Sequence, residues 1–309
     1  LRAADWLYTG VQFAGQIKDQ EMTDNHRPTY LLVGTVTKDL HPDQSFSIGG
    51  TVTYASVVAQ NMGWRPVIVT PAAADFEPPD YLSHLDWHVV PSPHTTTFRN
   101  EYDRHGHRQQ TIGPVTRPIR PDEIPPQCRR ATVVHLCPLA QEYGPDILSA
   151  FDSQMLVATP QGWLRQWDAN GLVSLGDWRG AAEILPRLDA GIISIEDVDG
   201  NWAIAERWAA QTTTLIVTMG DRGCTVFHRG QRFVAPPRPA QPVDPTGAGD
   251  VFAAAFTIRY VETGDLWLAA RFANVTASMS IERPGPQGSP LRHEVDTYLL
   301  ENPVERVSG

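Results

Sequence analysis

Asp244-Pro245-Thr246-Gly247-Ala248-Gly249-Asp250, running on into Val251-Phe252-Ala253-Ala254-Ala255-Phe256, is the stretch on which the fold assignment turns. Gly247 and Gly249 let a backbone approach a ligand closely, and Ala248 adds almost no bulk between them. The small apolar residues that follow read as a helix. Its first amides lack intrahelical acceptors and carry the positive end of the helix dipole, and such a terminus suits a phosphate. Asp250 is an anion and would repel a phosphate as a ligand. Beside one, it suits a general base that takes a proton from an attacking hydroxyl. The plainer alternative is a glycine turn with a carboxylate favoured by the dipole. Agreement of seven positions in type and spacing favours the anion cradle.

Two other glycine-loop readings fail on residues. Only Lys18 and Lys38 are lysines among the 25 basic residues. Neither sits in the Gly-x-x-x-x-Gly-Lys-Ser/Thr context of a P-loop, nor on a protein-kinase strand. A dinucleotide fingerprint wants a third glycine where Phe252 stands, which argues against an oxidoreductase. Schiff-base chemistry is disfavoured by the same scarcity of lysine.

The 309 residues suffice for one large domain or two modest ones. A hydrophobic share of 41% and a charged share of 19% are ordinary for a soluble globular chain. The formal charge of −10 argues against nucleic acid, which wants a basic face. No apolar run is long enough to span a bilayer, so no membrane partner is expected. Cys128, Cys137 and Cys224 lack metal spacing and read as buried free thiols in a reducing, cytoplasmic setting. His105 and His107 flank Gly106 in a polar turn and read as solvated. Residues 1–28 carry no signal-peptide pattern and read as an extension, with Met22 a candidate functional start. A short docked amphipathic helix is the alternative there.

Tyr30-Leu31-Leu32-Val33 is a continuous apolar run, as a buried parallel strand should be. After Gly49-Gly50, the residues Val52, Ala55, Ala59 and Met62 share a helical face that closes at Gly63. Val67–Val69 reads as the next strand, and residues 95–112 read as a hairpin around a polar turn. Further strands are expected at residues 132–134, 155–158, 191–193 and 215–217, with helical stretches around 146–151 and 202–210 between them. Such alternation argues a doubly wound parallel sheet. A hairpin over 224–234 and helices near 249–261 and 266–281 complete the pattern. Thr218-Met219-Gly220-Asp221-Arg222-Gly223 follows a strand, at the end where open sheets bind ligands, although an ordinary turn explains it equally well.

The Asp244–Asp250 signature resembles that of the ribokinase-like PfkB family of carbohydrate kinases, and the resemblance runs from about residue 30 to the end. It implies a three-layer α/β fold with a doubly wound, mainly parallel sheet. A small β lid would come from residues 35–48 and 94–113 of a kinase domain spanning 29–309. It also implies that Thr218, Gly220, Arg222, Gly223, Asp244, Thr246 and Asn274 lie along ATP, the last on a helix beside the nucleotide. Asp39 and the Gly49-Gly50 turn would hold the acceptor. Tyr54 stands where many members have an asparagine on the sugar, which weakens a ribose assignment. Ser194-Ile195-Glu196-Asp197 lies where the family has Asn-x-x-Glu, so Asp197 would organise magnesium through water; an exposed acidic helix start is an equal alternative. Thr95-Thr96-Thr97-Phe98, Gln161-Gly162-Trp163-Leu164-Arg165 and Val243-Asp244-Pro245 are similar to the plant inositol 3-kinase branch, which makes Gln161 an acceptor residue.

The resulting expectation is ATP- and magnesium-dependent phosphorylation of a hydroxyl on a small sugar or cyclic polyol such as myo-inositol. Asp250 would be the base, and the amides of Gly247, Ala248 and Gly249 the anion hole. A nucleoside or furanose acceptor, and a binding protein without turnover, are the alternatives. A monovalent-cation requirement and a homodimer built on the lid face are left open.

Overall fold

The computed structural model describes residues 27–102 and 108–306. The strands are β1 (Thr29–Gly34), β2 (Thr37–Leu40), β3 (Phe46–Gly49), β4 (Arg65–Ala72), β5 (Asp86–Pro91), β6 (Thr96–Tyr102), β7 (Arg108–Ile112) and β8 (Val133–Cys137). They continue with β9 (Met155–Ala158), β10 (Arg165–Trp167), β11 (Val173–Leu175), β12 (Ala190–Ser194), β13 (Thr214–Thr218), β14 (Cys224–His228) and β15 (Gln231–Ala235). The helices of more than two turns are α1 (Thr51–Asn61), α2 (Trp202–Ala209), α3 (Ala248–Thr263), α4 (Leu266–Ser280) and α5 (Arg292–Glu301).

The main sheet has the order β15-β14-β13-β12-β9-β8-β1-β4-β5, parallel from β13 to β5, with β14 and β15 an antiparallel extension. Its central strands are apolar on both sides because both faces are covered. Along β1, Tyr30 and Leu32 join a core with α1, α3 and α4, while Leu31 and Val33 join the opposite core with Trp163, Trp178, Ala205 and Trp208. That is a three-layer α/β sandwich. The chain leaves β1 toward β4 and β5, then returns to β8 on its other side. In such sheets a reversal of this kind, here outside the carboxyl ends of β1 and β8, is the usual ligand position.

A second sheet, ordered β3-β2-β6-β7, is built from the two segments expected to form a lid. The small β10–β11 hairpin adjoins it through a bridge between Thr111 and Leu172.

Most expected elements are found within a residue or two, with informative differences. The strand expected at 132–134 runs over Val133–Cys137, and the helix expected near 146–151 is a 3-10 turn over Pro145–Ala150. Proline at its start and only two apolar anchors suit a short turn better than an α-helix. Strand β5 escaped the sequence reading because its half-exposed edge position lets Asp86, Trp87 and His88 stand together. Cys128, Cys137 and Cys224 are buried free thiols, as expected. His105, His107, Met22 and nearly all of the N-terminal extension lie outside the described residues. No helix among the described residues is long and apolar enough to cross a membrane.

Candidate active site

Helix α3 begins after Gly247, which has φ +76° and offers no side-chain cap. Only glycine takes that conformation cheaply. A Cβ on Gly247 would also overlap the Tyr54 ring, so the close approach of α1 requires the missing side chain. At Gly249 the corresponding direction is open. The start of α3 thus faces free space at Gly249 without a side-chain cap, although the Ala248 amide reaches back to the Pro245 carbonyl at 3.3 Å.

Asp250 sits in the first turn of α3 and accepts a hydrogen bond from Thr51 Oγ1 at 2.8 Å. Thr51 opens α1, directly after Gly50 at φ +91°. Two helix starts, separated by nearly two hundred residues of chain, therefore meet at one carboxylate. Burial pushes the Asp250 carboxyl up to about 6, against the Thr51 hydrogen bond and the Arg165 charge, while Asp197 adds to the rise. A carboxylate with that affinity is mostly ionised at neutral pH yet a better proton acceptor than a solvated aspartate.

On the second-sheet side, Asp39 of β2 accepts from Thr37 Oγ1 at 3.1 Å. A Cβ at Gly49 would collide with the Asp39 carboxylate, which explains the small residue on β3. Tyr54 is 8% exposed. Its hydroxyl is pushed up by burial and then by the nearby Asp244, Asp250 and Asp39. Gln161 starts a one-turn helix whose Gly162 lies against the Pro138–Leu139 backbone, with Trp163 stacked on Trp178 at 5.2 Å. The sequence reading did not foresee the burial of Arg165, at the head of β10. It is 8% exposed, its Nη1 donates to the Leu139 carbonyl at 3.3 Å, and its guanidinium lies 5.2 Å from the Phe98 ring centroid. The available signal was a charged residue following Trp163-Leu164 in an otherwise apolar segment.

On the other side, Thr218 ends β13 and Gly220 at φ +60° faces open space. Gly223, at φ +81°, must be glycine because a Cβ would meet the Ala235 carbonyl. Arg222 is exposed and borders a hollow of about 340 Å³ with Glu196, Asp199 and Trp202. Thr246 is exposed on the loop before the cradle. Asp244 pins that loop, accepting from the amides of Thr246 at 3.0 Å and Gly285 at 2.9 Å. Burial would raise its carboxyl, but these hydrogen bonds outweigh it and leave the group lowered.

Two residues expected on the nucleotide and metal have structural work in the fold. Asn274 is buried, and its amide donates to the carbonyls of Ala235 and Pro236, both at 3.0 Å. Those donors fasten the proline-rich connector. Asp197 accepts from the Ser194 amide at 2.8 Å in a capping box, and its charge also reaches Asp250. Among the described residues no three His, Cys, Asp or Glu side chains converge as a metal cage.

The main sheet with its reversal at β1, the glycine-lined helix start and the second sheet together make a ribokinase-like fold. Residues 194–293 match the profile of the pfkB family carbohydrate kinases. The chain has 40% identity over 97 residues to a ribokinase of Bacillus subtilis, covering 31% of this chain and 33% of that protein. An inositol 3-kinase of Arabidopsis thaliana is 26% identical over 250 residues, 77% of this chain and 69% of the relative. Among solved structures, a pyrophosphate-dependent kinase in the ribokinase family, complexed with a pyrophosphate analog and myo-inositol, superposes with a TM-score of 0.72 at 21% identity. That likeness covers 87% of this chain and 99% of the neighbour. A ribokinase from Thermotoga maritima gives a TM-score of 0.66 at 21% identity over 88% and 99%.

Proposed function

We propose that the protein transfers a phosphoryl group from ATP to a hydroxyl of a small cyclic polyol or sugar, with myo-inositol the first acceptor to try. The observation carrying this reading is Asp250, a part-buried carboxylate held by Thr51 in the first turn of a helix that has no side-chain cap. A base and an anion cradle are there within one turn of helix.

The acceptor is held by the Asp39 carboxylate, which packs directly against Gly49, and by the Gly49-Gly50 turn, with Tyr54 beside them. Asp250 takes the proton of the attacking hydroxyl as the new oxygen–phosphorus bond forms. The amides at Gly247, Ala248 and Gly249 meet the charge on the transferring group, and the bond to the leaving phosphate breaks. The nucleotide lies along Thr218–Gly223 and the Asp244–Thr246 loop, with Arg222 on its exposed side. The open directions at Gly220 and Gly249 fit that placement. Magnesium, which retains water and favours phosphate oxygens, would neutralise the phosphates, with Asp197 the carboxylate on hand through water.

Support for a polyol comes from Tyr54, a buried ring against Gly247 where many relatives of the resemblance have a sugar-binding asparagine. It also comes from the length of the match to the inositol 3-kinase. The test is an assay with myo-inositol, ribose, fructose and a nucleoside, each with ATP or pyrophosphate, with and without potassium. The reading expects ATP-dependent turnover of myo-inositol above the others. Preference for ribose or a nucleoside would move the acceptor class, and no turnover of any would refute the kinase reading.

A further inference from the structure

The start of α3 is open on one side and closed on the other. At Gly249 nothing stands within 4 Å of the direction a side chain would take. At Gly247, two residues earlier, that direction is filled by the Tyr54 ring, whose Cδ1, Cε1 and Cγ would all overlap a Cβ there. Tyr54 belongs to the first turn of α1, and its amide points to the Gly50 carbonyl at 3.4 Å. From the same turn Thr51 reaches the Asp250 carboxylate. One turn of α1, directly after the Gly49-Gly50 turn, thus meets both the carboxylate and the first glycine of the cradle.

The ring is 8% exposed and joins the apolar core that holds Val36, Val52 and Val251. Burial, then the carboxylates around it, push the phenol up, so it stays neutral near pH 7 and sets no charge against a phosphate. A base beside a transferring phosphoryl group can serve water as well as an alcohol. Water attack forms an oxygen–phosphorus bond, breaks the bond from phosphorus to the bridging oxygen of ADP and passes a proton to the base. The products are ADP and inorganic phosphate, and the donor is lost. Expelling water from the site prevents that side reaction.

We propose that Tyr54 selects the acceptor hydroxyl over water: its ring, packed on Gly247 one turn after the Gly49-Gly50 turn, walls the α1 side of the anion cradle and keeps that side dry.

The proposal rests on the kinase reading with Asp250 as base. Phenylalanine at position 54 keeps the wall, whereas alanine removes it and leaves the Gly247 side unfilled. A purely structural role for the ring would slow formation of phosphomonoester and of inorganic phosphate together, leaving their ratio unchanged. Loss of a wall raises the share of inorganic phosphate.

The experiment is a ³¹P NMR time course of the full-length protein with ATP, magnesium and the best acceptor of the panel, reading inorganic phosphate against phosphomonoester. In Tyr54→Ala that ratio should rise by about tenfold, the factor that about 1.4 kcal/mol makes between two competing barriers. In Tyr54→Phe it should stay near the parent ratio. An unchanged ratio in a folded Tyr54→Ala variant overturns the proposal. So does a Tyr54→Phe variant that leaks as much as Tyr54→Ala, because the effect then belongs to the hydroxyl and not to the ring. If Tyr54→Ala does not fold, Tyr54→Leu provides the test: its ratio should rise, and an unchanged one is the overturning result. No transfer from the parent protein to any acceptor refutes the kinase reading and this proposal with it, whereas an unchanged ratio beside an active parent refutes the proposal alone.

Discussion

Asp250 illustrates how a site residue can be a liability to the fold. Its carboxyl binds a proton more tightly in the folded chain, at about 6, than in the unfolded chain, at about 3.9. The folded state is therefore favoured at low pH, and that contribution is lost as pH rises from about 4 through about 6. Asp250→Asn, which cannot ionise, should be more stable than the parent by roughly 1–3 kcal/mol at pH 8, and the gap should close near pH 4. Urea melts at the two pH values check this. The same variant should bind nucleotide while losing roughly 10²–10⁴-fold in kcat. The parent kcat should fall as pH drops below about 6, where the base becomes protonated.

Gly247 offers a second test at this scale. Alanine there pays both for a left-handed backbone, roughly 1–2 kcal/mol, and for overlap with the Tyr54 ring. Truncating the ring in Tyr54→Ala should relieve the second part only. A double-mutant cycle of unfolding free energies should thus show a favourable coupling between Gly247→Ala and Tyr54→Ala. Strict additivity would mean that the ring and the turn are energetically independent. Valine at position 247 should be worse than alanine, because a β-branched side chain resists the turn.

At the scale of elements, the cradle depends on α4 as well as α3. These two helices pack along their lengths, and Asn274 of α4 reaches across to hold the connector that delivers the chain to Asp244. Asn274→Ala would leave the Ala235 carbonyl without that donor in a buried setting, whereas Pro236 keeps Arg271 Nη1 at 3.0 Å. We expect a loss of about 1–3 kcal/mol in stability. The KM for ATP should change less than in a Thr218 or Gly220 variant. A large rise in ATP KM with unchanged melting would instead put the Asn274 side chain on the nucleotide, as the family resemblance implied.

For the whole molecule, the legible parts of the sequence were those in which one physical demand fixed the residue pattern. Continuous apolar runs marked β1, β4, β9, β12 and β13 because strands covered on both faces tolerate little else. The Gly247–Asp250 turn was legible because close approach and a left-handed backbone restrict the same few residues. Elements serving two environments were harder. Strand β5 lies at an edge, and β10 carries Arg165 inward beside exposed Gln166, so neither shows a clean period. Thr51 could not be placed from sequence, since its meeting with Asp250 depends on how α1 packs against α3. Asn274, expected beside the nucleotide, shows hydrogen bonds to the connector that its sequence context did not announce.

The central claim is that Asp250 takes a proton from an acceptor hydroxyl as a phosphoryl group moves onto it. The most direct measurement is ³¹P NMR of the protein with ATP, magnesium and myo-inositol, run beside Asp250→Asn and repeated across the acceptor and donor panel. The account predicts a phosphomonoester of the polyol and ADP from the parent protein. It predicts the same product at least about 10²-fold more slowly from Asp250→Asn. Absence of a phosphomonoester with every acceptor and donor, or equal rates from the two proteins, would contradict it.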